Sequence, residues 1–183
     1  MSRIPALDPA SAPEPARSIL AAVNSSLGVT PNLFRVAAQS GAALDALTGQ
    51  VGALSKGALD ARSREAIALA VAEANGCDYC LSAHNVLGAG AGLSSAEIGN
   101  AREARASDPK LNAILAFVRN LVINRGHATD SELEQLRRVG ASEAEIVEAV
   151  ANTALNIFTN YLNHVAGTDI DFPVVKAGQP IAA

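Results

Sequence analysis

Apolar residues recur along this chain every three or four positions, the spacing that gives a helix one buried face. A first such stretch begins at Pro15, suited to a first helical turn, runs through Ile19, Leu20 and Val23, and stops near Leu27-Gly28. A second starts at Pro31-Asn-Leu-Phe-Arg and breaks about Ser40-Gly41, and a third covers Leu44 to Leu54 and stops at Gly57. The apolar-rich segment from Glu65 to Ala74 predicts a helix ended by Asn75-Gly76, where glycine takes the left-handed position that closes a helix. The chain then reverses into a second helix, so the centre of the sequence reads as an antiparallel helix hairpin. Leu111, Ile114, Leu115, Val118, Leu121 and Val122 mark a long core helix ended by Gly126.

Polar residues place the remaining boundaries. Ser94-Ser-Ala-Glu97, Thr129-Asp-Ser-Glu132 and Ser142-Glu-Ala-Glu145 are three capping boxes, in which a hydroxyl and a later carboxylate satisfy amide groups that a helix start leaves unpaired. The last and longest helix is predicted from Ser142 to about Ala166. Gly92-Leu-Ser-Ser-Ala-Glu-Ile98 echoes Gly140-Ala-Ser-Glu-Ala-Glu-Ile146, a faint repeat that duplication or shared capping chemistry explains equally well. Pro5, Pro9 and Pro13 make residues 1–14 an extended N-terminal arm, which either packs on the surface or reaches a neighbouring subunit. Residues 167–183, with Pro173 and Pro180, form an extended C-terminal tail.

Composition agrees with this pattern. The 183 residues are the size of a single domain, 1–183, and aromatic residues are only 3% against 49% hydrophobic, with alanine, leucine and valine dominant. That mixture suits small-residue helix packing, so the fold class is all-α. A net charge of −4 excludes nucleic acid or an anionic membrane as partner. No run approaches the ~18 apolar residues of a membrane span, and the N-terminus lacks a signal-peptide core. The expected location is cytoplasmic. In that compartment two cysteines set in Cys-x-x-Cys read as catalytic or metal-binding rather than as a structural staple.

Both cysteines belong to the hairpin. Cys77, Cys80 and His84 stand at i, i+3 and i+7, one stripe down a helix face. Positions three apart lie ~5–6 Å from each other, within the ~4.4–6.8 Å Cα window of a disulfide, so the pair is expected to open and close a bridge. Glu65 lies about nine residues before the bend and His84 about eight after it. At ~1.5 Å per residue the carboxylate and the imidazole face each other, a relay that raises the basicity of the histidine next to a thiol. Two other readings use the same residues: a zinc site of two cysteines, a histidine and a carboxylate, and two inert buried thiols. Which sulfur attacks is open, because Cys77 sits at a helix N-terminus and Cys80 has His84 one turn away. Tyr79, between them, reads as a packing or gating side chain rather than an acid.

Outside the hairpin, His127 follows Gly126 in a loop and reads as solvated, while His164, late in the last helix, suits a capping role. Asn152, Asn156 and Asn160 fall at i, i+4 and i+8 with Asn163 close by, among Leu155, Ile157, Phe158, Tyr161 and Leu162. An intersubunit hydrogen-bond ladder is the preferred reading of that polar stripe, against a plain exposed face.

A glutamate, eleven residues, then Cys-x-x-Cys-x-x-x-His, met by Glu65, Cys77, Cys80 and His84, resembles the alkyl hydroperoxidase D-like branch of the carboxymuconolactone decarboxylase family. Pro31-Asn-Leu-Phe-Arg, Asn156-Ile-Phe-Thr-Asn-Tyr-Leu-Asn163 and Asp171-Phe-Pro173 are similar to features of its longer, peroxidase-related members. The resemblance implies an all-α bundle, homo-oligomers that are trimers or hexamers, and thiol-dependent reduction of hydroperoxides with no cofactor, metal or haem. It makes Cys80 the attacking thiol, activated through His84 and Glu65, and Cys77 the resolving one, with a cytosolic dithiol of lipoyl or thioredoxin type as reductant. Tyr79 stands where the best-known members carry a second histidine, which implies a shorter relay and weaker peroxidase activity. The alternatives are a carboxymuconolactone decarboxylase-like lyase, which needs acid and base groups but no thiols, and a metal-binding or redox-sensing helical module.

Overall fold

Caps and turns written into the sequence set the helix boundaries in the computed structural model, which describes residues 2–179. Nine helices and no strand occur among the described residues: α1 Ala16–Leu27, α2 Asn32–Ala37, α3 Gly41–Leu54, α4 Ala61–Asn75, α5 Asp78–Gly90, α6 Ser95–Arg102, α7 Pro109–Ile123, α8 Asp130–Arg138 and α9 Glu143–Ala166. The fold is an all-α single domain. All three capping boxes are formed in both directions, at Ser94, Thr129 and Ser142. Helix α3 starts three residues before Leu44, because the Ser40 hydroxyl accepts from Ala43 N and fastens a first turn that the apolar pattern does not mark. In the same way the Asp60 carboxylate accepts from Ser63 N and starts α4 ahead of Glu65. The seven-residue echo shares its cap geometry, but its two helices run for 8 and 24 residues.

Helix α4 is the axis of the fold. Every residue from Ala66 to Ala72 is buried, so this stretch has no solvent face and is wrapped by α5, α6, α7 and α9. Four of those seven side chains are alanine, which lets neighbouring helices approach closely, while Ile67, Leu69 and Val71 fill the gaps between them. Burying each of the larger side chains is worth ~1.5–3 kcal/mol. A second, smaller core of Leu20, Leu44, Leu47, Ala12 and Ala16 lies under α1 and α3, and Leu155 of α9 belongs to it. Helix α9 therefore spans both cores, touching α2, α3, α4, α5 and α7.

Both chain ends fasten to the chain itself. The N-terminal arm lies on α2, where Leu7 N donates to Arg35 O at 3.0 Å, Arg35 Nε to Leu7 O at 2.8 Å and Gln39 Nε2 to Pro5 O at 2.8 Å. The tail crosses the hairpin: Val175 N donates to Ser82 Oγ at 2.9 Å, Ala177 N to Asp78 Oδ1 at 2.9 Å and Gly178 N to Glu73 Oε1 at 2.6 Å. Arg102, ion-paired with Glu73 at 2.7 Å, adds a bond to Lys176 O at 2.9 Å. Pro180 and the residues after it lie outside the described residues. Among the described residues no helix is long and apolar enough to cross a membrane.

Candidate active site

The hairpin closes as its turn signal requires. Gly76 takes φ 66°, ψ 36°, a left-handed conformation in which a side chain is strained, and Cys77 N returns to Ala72 O at 2.9 Å. Cys77 is then not the first residue of α5 but its N-cap, with φ −92° and ψ 93°. The predicted stripe thus begins one residue outside the helix. Its Sγ accepts from Cys80 N at 3.3 Å, the contact that serine or aspartate usually makes at a helix start. Both cysteines are free thiols and buried, 1% and 2% exposed.

The two ends of the predicted relay meet. His84 Nδ1 lies 2.7 Å from Glu65 Oε2, with side chains 20% and 22% exposed. Burial pulls the imidazole pKa down, but the Glu65 carboxylate, its hydrogen bond and the charge of Cys77 together hold it above the ordinary histidine value. His84 in turn favours ionisation of Cys77. The sequence reading placed the histidine's influence on Cys80, one helical turn away. The Cys80 sulfur itself meets α9, where Asn163 Nδ2 reaches it.

The thiols differ sharply. Cys80 is held below the ordinary thiol value, chiefly by the hydrogen bond from Cys77, against the opposing effect of burial. Asn163 Nδ2 donates to Cys80 Sγ at 3.3 Å, and Asn160 and Thr159 add to the lowering. Cys77 is pushed far upward because it keeps the shared proton, because it is buried, and because a Cys80 thiolate repels a second charge; His84 offsets only part of this. The contact between the two sulfurs is the largest cause on each side, and the α9 side chains add to it in the direction of a Cys80 thiolate.

Tyr79 is a bolt. Its hydroxyl accepts from Leu33 N at 3.0 Å, its ring meets Phe172 edge-on with centroids 5.9 Å apart, and burial raises its pKa beyond any physiological range. It ties α2 and the tail to the hairpin. His127 is exposed, and His164 reaches the Gly76 carbonyl at 3.4 Å, so it serves the closing turn of the hairpin rather than the end of its own helix.

The asparagine stripe is neither exposed nor turned outward to a neighbouring subunit. Asn152, Asn156, Asn160 and Asn163 are 3%, 6%, 0% and 4% exposed within a single chain. Asn152 and Asn156 return to the carbonyls of Glu148 and Asn152, at 2.8 and 2.9 Å, while Asn160 Oδ1 accepts from Asn75 Nδ2 at 2.9 Å. The upper two, Asn160 and Asn163, thus stand against the hairpin and the sulfur of Cys80. These are site residues that the sequence reading missed, although an asparagine every fourth position among large apolar side chains was the signal that partners were needed. Two of their atoms, Asn160 Nδ2 and Asn163 Oδ1, are buried without a hydrogen bond among the described residues. Each such group costs ~1–3 kcal/mol.

Among the described residues no three histidine, cysteine, aspartate or glutamate side chains converge as a metal ion needs. A cavity of about 370 Å³ between α4, α6 and α7, lined by Leu59, Ser63, Ala66, Asn100 and Ile114 among others, contains neither cysteine.

Residues 38–121 match the carboxymuconolactone decarboxylase family. That span holds Glu65, Cys77, Cys80 and His84, and leaves α9 with its asparagines outside. The fold is shared with the alkylhydroperoxidase AhpD core of an uncharacterized peroxidase-related protein from Ralstonia eutropha JMP134, at 24% identity over 93% of this chain and 92% of that one, with a TM-score of 0.84. A peroxidase-related protein from Silicibacter sp. TM1040 is similar at 21% identity over 91% and 88% of the two chains, with a TM-score of 0.80. The debrominase Bmp8, known in complex with 2,3,4-tribromopyrrole, is similar at 22% identity over 92% and 91%, with a TM-score of 0.78. No curated protein matches the sequence.

Proposed function

From a chain that carries a carboxymuconolactone decarboxylase family domain on the fold of the alkylhydroperoxidase AhpD core, we infer a thiol-dependent peroxidase that reduces organic hydroperoxides. The observation that carries this reading is the Cys80 sulfur itself: buried, taking a hydrogen bond from Asn163 Nδ2 at 3.3 Å, with the Cys77 sulfur at the same helix start on Cys80 N at 3.3 Å, and held toward thiolate. A buried thiolate beside a second, protonated thiol suits attack followed by disulfide closure.

In the first step the Cys80 thiolate attacks the outer oxygen of R–O–O–H. The S–O bond forms as the O–O bond breaks, sulfur loses two electrons, and RO⁻ leaves as the alcohol by taking from solvent one proton, equivalent to the one Cys80 released on ionising. Cys80 is then a sulfenic acid. His84, a strengthened base under Glu65, removes the Cys77 proton; the Cys77 thiolate attacks Cys80 sulfur, the S–S bond forms, and hydroxide leaves with that proton as water. A cytosolic dithiol of lipoyl or thioredoxin type regenerates both thiols by exchange, leaving as its own disulfide. Cys77 sits where it can capture Cys80, since its sulfur already meets Cys80 N at 3.3 Å.

Hydroperoxide consumption with lipoyl-type and thioredoxin-type reductants tests the reading, beside a Cys80→Ser control and with 2,3,4-tribromopyrrole as a competing substrate. Turnover of hydroperoxide that disappears in Cys80→Ser supports it. Debromination without peroxide reduction overturns it in favour of a dehalogenase, and turnover of a lactone acid that survives loss of both cysteines overturns it in favour of a lyase.

The outer face of α9 supports homo-oligomer assembly. Val147, Val150, Phe158, Tyr161 and Val165 are 66%, 45%, 39%, 57% and 62% exposed along one helix, a stripe of apolar side chains of the kind that marks an interface. Light scattering is expected to give a multiple of the 18.6 kDa chain mass, trimer or hexamer. Tyr161→Glu is expected to shift it toward monomer, and a clean monomer in the unaltered protein contradicts the assembly.

A further inference from the structure

We propose that Asn160 and Asn163 are working parts of the site: the Asn163 amide holds the Cys80 thiolate, and the Asn160 amide is the donor for the oxygen that leaves. This rests on the peroxidase reading for the Asn160 half alone.

A buried thiolate needs partners, and a lysine or arginine is the usual supply. The titratable groups the site gathers are Cys77 at the cap, Tyr79 and His84 on α5, Glu65 on α4 and, at the Tyr79 hydroxyl, Asp171 of the tail, and the histidine acts on Cys77. From α9 the groups facing the sulfur are neutral: Asn163, Asn160 and Thr159, whose hydroxyl donates to Asn156 O at 3.0 Å. Amide dipoles fixed in a dry site stabilise an anion without a counter-charge, because they need no reorganisation when the charge appears.

The two amides are not equivalent. Asn163 Nδ2 is already on the sulfur at 3.3 Å. Asn160 is anchored through its oxygen, which accepts from Asn75 Nδ2 at 2.9 Å, and this aims its Nδ2 away from the turn and into the space by Cys80. That nitrogen is wholly buried yet makes no hydrogen bond among the described residues; it lies near enough to favour the thiolate but outside bonding geometry to the thiol. During attack the negative charge leaves sulfur for the inner peroxide oxygen, and an uncommitted donor beside the sulfur is placed to follow it. The orphan Asn163 Oδ1 is the matching acceptor for the hydroxyl of R–O–O–H. A donor and an acceptor left unpaired on two asparagines of one helix, both acting on Cys80, fit a substrate that carries both groups.

The test separates the two roles in the Cys77→Ser background, using the pH profile of iodoacetamide alkylation at Cys80 and, independently, the rate of a single-turnover reaction with cumene hydroperoxide. Asn163→Ala is expected to raise the alkylation midpoint by about one pH unit, about a tenfold loss of thiolate at neutral pH. Asn160→Ala is expected to move the midpoint by less than half of that while slowing the peroxide reaction roughly 10- to 100-fold. Asn152→Ala, an equally buried asparagine on the same helix, is the control and is expected to change neither. The assignment is overturned if Asn163→Ala leaves the midpoint in place, if Asn152→Ala moves it as far, or if Asn160→Ala slows alkylation and peroxide attack equally. Should an alanine variant not fold, Asn163→Leu or Asn160→Leu fills the space and is judged by the same criteria. An unaltered protein that alkylates at Cys80 but reduces no hydroperoxide overturns the peroxidase reading and the role of Asn160 with it, whereas the alkylation shift of Asn163→Ala stands or falls alone.

Discussion

The two sulfurs are served by two unlike regions. On the hairpin side Cys77 faces an ion pair, Glu65 and His84 at 2.7 Å, built within twenty residues of sequence. On the α9 side Cys80 faces neutral amides that arrive from eighty or more residues away, Asn163 at 3.3 Å foremost. In the proposed cycle one region moves protons and the other holds charge. The difference teaches how one pair of thiols is given unequal surroundings: the contact between the two sulfurs favours charge on one of them only, His84 favours ionisation of Cys77, and the α9 side chains favour it at Cys80.

The largest effect that breaks this comparison is loss of the held sulfur. Cys80→Ser is expected to lower hydroperoxide turnover roughly a thousandfold or more, since the attacking atom is gone; residual turnover above a tenth, read in a coupled reductant assay, contradicts the assignment. Next comes loss of the proton-moving side. Glu65→Gln and His84→Gln are expected to slow disulfide closure about 10- to 100-fold while changing sulfenic acid formation far less. Raising the pH restores closure, because hydroxide replaces the missing base. Rapid-quench thiol counting follows both steps, and equal slowing of the two contradicts a relay that serves Cys77.

Smaller is the stability effect, which sharpens the comparison by separating ion pair from dipole. His84 is held above its ordinary value near 6.5, so the pair with Glu65 contributes stability that is fully present below that value and is lost as the pH rises through the raised folded value. Both side chains are partly exposed, so the contribution is roughly 1 kcal/mol. Urea unfolding of the native protein and Glu65→Gln should differ most near pH 6 and converge in alkaline buffer. A gap that widens with pH contradicts the sign.

The hairpin region was legible because each of its parts is local. A glycine at a left-handed turn, a helix period and a chain reversal bring Glu65 to His84 without reference to the rest of the fold. The capping boxes were legible for the same reason. The α9 region was not, because a polar stripe on a helix says that partners are needed but not which neighbour supplies them, and burial against α4 and α5 decided that. Cys77 is the instructive miss. Cap positions belong by habit to serine and aspartate, so the sequence spacing placed this cysteine inside the helix rather than at its cap.

The account turns on Cys80 attacking and Cys77 resolving, and peptide mass spectrometry of peroxide-treated variants in the presence of dimedone tests it directly. The expected result is about one equivalent of peroxide consumed by Cys77→Ser, with the dimedone adduct on Cys80, and no comparable adduct on Cys77 in Cys80→Ser. An adduct forming on Cys77 in Cys80→Ser at a similar rate would show that the helix N-terminus outweighs the asparagines, and would reverse the roles of the two sulfurs.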